Sequence, residues 1–160
     1  MTNQNIYRMR VKDVLIKDVV YVNPPDTLDE ALRLMAENRV SGLPVVDARR
    51  RCVGFISATD LLDLTRELGD ELNALDEVAG FTRQLLTEKL SKSGLLTKQV
   101  LELMSDSVFS VGPEDSLAHA AGQFVRNRVH RLAVVDGHKR LLGIVSMTDI
   151  LRAFAESGLD

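Results

Sequence analysis

The sequence predicts an α/β protein, more narrowly α+β, of two tandem β-α-β-β-α units that pair through their sheets into one module, with a helical insertion between them. Three observations predict this. Val19 to Leu62 aligns without a gap on Val108 to Leu151, at an offset of 89 residues (Pro24 onto Pro113). Within each copy, short β-branched runs alternate with stretches of helical spacing. The stretch 67–99 has no counterpart in the repeat. The resulting division is 10–66 for the first unit, 67–99 for the helical insertion and 100–155 for the second unit.

Self-similarity decides architecture before any single motif does. Pro24, Asp26, Leu28 and Ala31 fall on Pro113, Asp115, Leu117 and Ala120. Asn38, Arg39 and Val40 fall on Asn127, Arg128 and Val129; Val45, Val46 and Asp47 fall on Val134, Val135 and Asp136. Gly54, Ser57, Thr59 and Asp60 fall on Gly143, Ser146, Thr148 and Asp149. Turn, strand and polar positions therefore repeat together.

The elements follow in chain order. Val19 to Val22 is a β-branched and aromatic run closed by Asn23, Pro24 and Pro25, which predicts a strand and a turn. Thr27 with Glu30 three residues on forms a capping-box pattern, and Leu28, Ala31, Leu32 and Met35 recur at helical spacing up to Asn38. Leu117, Ala120, Ala121 and Phe124 repeat that stripe. Arg39 and Arg128 end these helices, where a cation complements the dipole. Leu43 to Val46 and Val53 to Ile56 read as a hairpin around a charged turn, Asp47 to Arg51. A second helix begins near Ala58. In the insertion, Leu68, Leu72 and Leu75 continue its spacing, and Phe81, Leu85 and Leu86 suggest another helix. These six side chains are expected to be buried, either on their own module or at a partner surface.

Composition bounds the function. The chain has 160 residues, is 45% hydrophobic and 27% charged, and carries a formal net charge of −3. Those proportions exclude dominant disorder. The charge gives no support for nucleic-acid binding. The single cysteine, Cys52, excludes an intrachain disulfide and reads as a small apolar filler. No apolar run approaches the ~20 residues of a membrane span, and Met1 to Arg10 is polar. A cytoplasmic protein without direct membrane insertion is expected. There is no Gly-rich phosphate loop, no metal-ligand spacing among Cys and His, and no nucleophile elbow, so catalysis is not expected.

Each copy also carries G-x-x-S-x-T-D at the start of its second helix, after an apolar strand, an Asp and a charged turn. With "RVSGLPVVD" and "RVHRLAVVD", this resembles the CBS domain, and the duplication resembles the tandem CBS pair called a Bateman module. The resemblance covers roughly 10–66 and 99–155 and leaves 67–99 unmatched. It implies two units paired through their sheets, with two clefts that take an adenine-containing ligand: AMP, ADP, ATP or S-adenosylmethionine. It further implies a regulatory module with no covalent cofactor, a homodimer, and a regulated enzyme or transporter as partner.

The candidate ligand residues are Ser57, Thr59 and Asp60 in the first copy and Ser146, Thr148 and Asp149 in the second. A carboxylate can accept two hydrogen bonds from the vicinal hydroxyls of a ribose. Hydroxyls and free N–H groups at a helix start suit a phosphate. The same residue types are also the preferred N-caps of any helix, so both readings stand. His130 and Arg131 precede a strand of the second copy; they can face ligand phosphates or solvent. The first copy has Ser41 and Gly42 there, and Ala133 replaces Pro44, so the two sites are expected to differ. Arg49 to Arg51 reads as a solvated hairpin tip. A ligand-independent dimerisation or docking module is the alternative. In either case helix stripes of the Leu28, Met35, Leu61 and Phe124 type are expected to build a homodimer.

Overall fold

The computed structural model describes residues 6–61, 88 and 90–158. The insertion residues Leu68, Leu72, Leu75, Phe81, Leu85 and Leu86 lie outside the described residues.

Helix α1, Leu28–Asn38, starts as its sequence dictates. Thr27 accepts from the backbone N–H of Glu30 at 3.3 Å, and Glu30 accepts from that of Thr27 at 2.8 Å. The helix buries Leu28, Ala31 and Met35 and ends at Arg39, which is left-handed at φ 53°. Strands β1, Gly42–Val46, and β2, Cys52–Ser57, form a two-stranded sheet, and residues 58–61 after it are helical. A short helix α2, Val100–Leu103, opens the second repeat's leader. Then come β3, Ser110–Val111; α3, Leu117–Asn127; β4, Arg131–Val135; β5, Leu141–Ser146; and α4, Met147–Glu156. Strand β3 runs parallel to β4, and β4 antiparallel to β5, with Ala133 opposite Ile144. Helix α3 repeats α1: Ser116 caps it through His119 N–H at 3.1 Å, and Arg128 ends it at φ 53°.

The strand expected over Val19 to Val22 is corrected to a single bridge, Val22 to Val45. Val19 donates back to the Lys17 carbonyl at 3.0 Å, and Tyr21 is exposed, so only the residue before the Asn23-Pro24-Pro25 turn reaches the sheet.

The described residues fall into two compact units. One holds those up to Val19, the hairpin tip Val46–Val53 and those from Ser107 onward. The other holds Val20–Val45 and the described residues of Gly54–Asp106. Each repeat's leader therefore lies in the unit of the other repeat.

The hydrogen bonds repeat this exchange at the same offset. Val11 donates to Asp115 O and Lys12 to Pro113 O, both at 2.9 Å. In the other unit Val100 donates to Asp26 O at 2.7 Å and Leu101 to Pro24 O at 3.0 Å. Gly54 and Gly143 make room for the leaders. A Cβ on Gly54 would stand 2.6 Å from Met104 Sδ and 2.7 Å from Ser105 O; one on Gly143 would meet Leu15 and the Ile16 carbonyl.

Ile6, Val11, Leu117, Phe124, Leu132, Val145 and Ile150 share one core. In the other unit Leu28, Leu43, Ile56, Leu61, Leu90 and Val100 are completely buried. Leu28, Met35, Leu61 and Phe124 are thus consumed inside the single chain and are not available to build a dimer. The expectation underestimated how much helix surface the exchanged leaders cover.

Candidate functional site

The second repeat gathers the most chemistry. Strand β5 ends at Ser146, the N-cap of α4, so the chain turns there from strand to helix. Ser146 Oγ accepts from the Asp149 N–H at 3.2 Å. In return Asp149 Oδ2 accepts from both the N–H and the hydroxyl of Ser146, each at 2.8 Å. Asp149 is 6% exposed, and its other oxygen, Oδ1, faces Arg152 at 3.5 Å. Thr148 is exposed on the first turn. His130 sits beside this helix start: its carbonyl accepts from Met147 N–H at 3.1 Å, and its Nδ1 lies 3.2 Å from Met147 Sδ. Arg131 is paired in register with Ser146. Both basic residues are exposed. The fold thus brings Ser146, Thr148, Asp149, His130 and Arg131 to one strand-to-helix junction.

The first repeat builds the same junction with less charge. Ser57 donates its hydroxyl to Asp60 Oδ2 at 2.8 Å, and Ser57 Oγ accepts from Asp60 N–H at 3.2 Å. Ala58 donates to the Ser41 carbonyl at 2.8 Å, as Met147 does to His130. Ser41 and Gly42 stand where His130 and Arg131 stand in the other copy. Asp60 is half-buried and Thr59 exposed.

In both copies, then, the serine and the aspartate cap the helix. A cap occupies one carboxylate oxygen with the serine, while Thr148 and Thr59 project from the first turn without entering the cap. Sequence reasoning missed Arg152 and Met147. The signal for Arg152 was present: an Asp and an Arg three residues apart meet on one helix face. Met147 gave none, because its contact with His130 depends on strand pairing. Among the described residues no group of His, Cys, Asp or Glu is arranged to hold a metal, and no helix is long and apolar enough to cross a membrane.

This α+β fold with paired S-x-T-D junctions defines a class, and comparison with known proteins agrees with it. The CBS domain family matches residues 11–67 and 100–156. The chain belongs to the CBS domain family. It is 34% identical over 142 residues to the chloroplastic CBS domain-containing protein CBSX1 of Arabidopsis thaliana, covering 86% of this chain and 59% of that protein. It is 32% identical over 146 residues to the gamma-3 subunit of human 5'-AMP-activated protein kinase, covering 90% of this chain and 26% of the subunit. The chain thus spans about three fifths of the first and about a quarter of the second. The crystal structure of CBSX2 in complex with AMP superposes with a TM-score of 0.69 at 30% identity, covering 92% of this chain and 96% of that one.

Proposed function

We propose that the chain is a non-catalytic regulatory module that binds an adenine-containing ligand and passes the bound state to a partner or to its own dimer. The observation that carries this reading is the junction of the second repeat, where Ser146, Thr148 and Asp149 meet His130 and Arg131. The AMP complex of CBSX2, at 30% identity over nearly the whole chain, supports adenine as the base. In this reading Asp149 accepts from a ribose, Thr148 and the first-turn N–H groups face a phosphate, and His130 and Arg131 neutralise it. Ser57, Thr59 and Asp60 form the weaker counterpart. AMP, ADP, ATP and S-adenosylmethionine are the candidates. The regulated partner is an enzyme or a transporter, and the reducing cytoplasm suits the lone Cys52.

The dimer contact in this reading lies on α4. Met147, Leu151 and Phe154 recur at i, i+4 and i+7, so they share one face. All three are exposed, Leu151 at 65%. Equilibrium titration with AMP, ATP and S-adenosylmethionine tests the proposal, which expects saturable binding of at least one. The second reading, a ligand-independent docking module, is favoured by one observation: Ser146 and Asp149 already satisfy each other as a cap. Absence of binding by all three ligands selects it.

A further inference from the structure

The two hairpin tips are rich in cations, and the fold sets them side by side. Arg51 and Arg140 pair in an antiparallel bridge, and Leu141 donates its N–H to the Arg50 carbonyl at 2.9 Å. This joins the run Arg49-Arg50-Arg51 to the run His138-Lys139-Arg140. Between them lies an open groove of about 380 Å³ lined by Arg49, Arg51, His138 and Arg140.

Among the described residues two acids, Asp47 and Asp136, serve this cluster, and both are committed. Asp47 Oδ1 accepts from the N–H groups of Arg49 and Arg51, and Oδ2 accepts from Arg51 Nε, all at 2.9 Å. Asp136 repeats the pattern with His138, Arg140 and Arg140 Nε. Arg51 and Arg140 are thereby held pointing in fixed directions. The side chains of Arg49, Arg50 and Lys139 have no acidic partner among the described residues. Apposing like charges is unfavourable unless an anion relieves it, and guanidinium forks match phosphate oxygens in geometry as well as charge.

We propose that the groove between the paired hairpin tips is a second anion site, which takes a compact di- or triphosphate group. Its size and its two three-residue runs suit a small polyanion. A nucleic acid would need a longer basic track and would meet a chain of net charge −3. The site is separate from the Ser146–Asp149 junction and does not depend on adenine.

Calorimetric titration with inorganic triphosphate, which has no base or ribose, tests the proposal on the full chain. Wild type is compared with R49A/H138A and with H130A; all three positions are exposed, and thermal melts confirm folding. The expected result is saturable binding whose component at the hairpin tips weakens at least tenfold in R49A/H138A, persists in H130A and falls with added salt. Amide shifts in a parallel NMR titration should concentrate at 47–51 and 136–140. No binding by wild type, or equal binding by R49A/H138A, overturns the proposal. A loss confined to H130A overturns it too, by assigning the anion to the other site. AMP titration reads that other site, so either proposal can fail alone.

Discussion

Phe55 and Ser105 exchange two backbone hydrogen bonds, at 2.9 and 2.8 Å, and 89 residues along from Phe55, Ile144 makes the same exchange with Ile16, at 2.9 and 3.0 Å. A leader that belongs by sequence to one repeat thus completes the sheet edge of the other. The glycine opening each G-x-x-S-x-T-D motif sits beside this crossing. Its requirement is steric: the leader backbone passes where a side chain would stand.

Gly54→Ala is therefore expected to destabilise the fold. The new methyl would collide with Met104 Sδ, which can move, and with the Ser105 carbonyl, which is held in the exchange. Overpacking of this kind costs roughly 1–3 kcal/mol. Gly143→Ala should cost a similar amount, because Ile16 backbone occupies the equivalent place. Urea denaturation of both variants checks this; two unchanged midpoints would show that the leaders are not held against the glycines.

Much of this was legible beforehand. Thr27 with Glu30, and Ser146 with Asp149, are local patterns, and both cap as their spacing requires. The periodicity of Leu28, Ala31 and Met35 marked the buried face of α1 correctly. What one stretch of sequence cannot carry is the identity of its partner. Val11 and Val100 read as apolar positions, yet nothing in their periodicity says that each leader lies in the other repeat's unit. The two cationic tips were illegible for the opposite reason. Arg49–Arg51 and His138–Arg140 should repel, yet backbone pairing at Arg51 and Leu141 sets them side by side. At the candidate site, the serine, threonine and aspartate positions followed from the repeat, whereas the contact of His130 with Met147 needed the register of β4 against β5.

Ser146→Ala should cost about 1 kcal/mol of stability through the lost cap, within a usual range of roughly 0.5–2 kcal/mol. It also removes one of the two donors that Asp149 Oδ2 holds. Ser57→Ala removes the equivalent cap. Thermal melts read both losses. An unchanged melting temperature in Ser146→Ala would show that the capping box is not a stabilising feature.

Acid should loosen the hairpin tips. The backbone N–H of Arg51 is the largest influence on Asp47, and with the Arg51 guanidinium and Arg49 N–H it outweighs desolvation and holds the carboxyl below its usual 3.8. For Asp136 desolvation is the largest single influence and pushes upward, but the N–H groups of Arg140 and His138 with the Arg140 guanidinium together overcome it. A depressed folded-state pKa stabilises fully above the unfolded value and ceases to do so as pH falls through the folded value. Amide protection at residues 47–51 and 136–140, measured relative to the intrinsic exchange rate at each pH, should therefore be unchanged between pH 7 and 5 and fall only below about pH 4. Lost protection already at pH 6 would contradict the assignment to these carboxylates.

Leu151→Glu should shift the chain toward monomer if the Met147, Leu151 and Phe154 face of α4 forms the dimer contact. Leu151 is exposed, so the substitution leaves the core of Ile150 and Ala153 intact. Light scattering at micromolar concentration reads the result. A wild-type monomer, or a dimer undisturbed by Leu151→Glu, would count against this face.

The second repeat's junction, with its added basic pair, is expected to be the stronger adenine-ligand site. Calorimetric titration of AMP into wild type, Asp60→Ala and Asp149→Ala tests it most directly. Wild type is expected to bind saturably, and Asp149→Ala to lose roughly tenfold to hundredfold in affinity, the consequence of removing hydrogen bonds to a charged acceptor worth about 1.5–3 kcal/mol. Asp60→Ala should lose less. Equal losses in the two variants would contradict the asymmetry, and no AMP binding by wild type, extended to ATP and S-adenosylmethionine, would contradict the sensor reading itself.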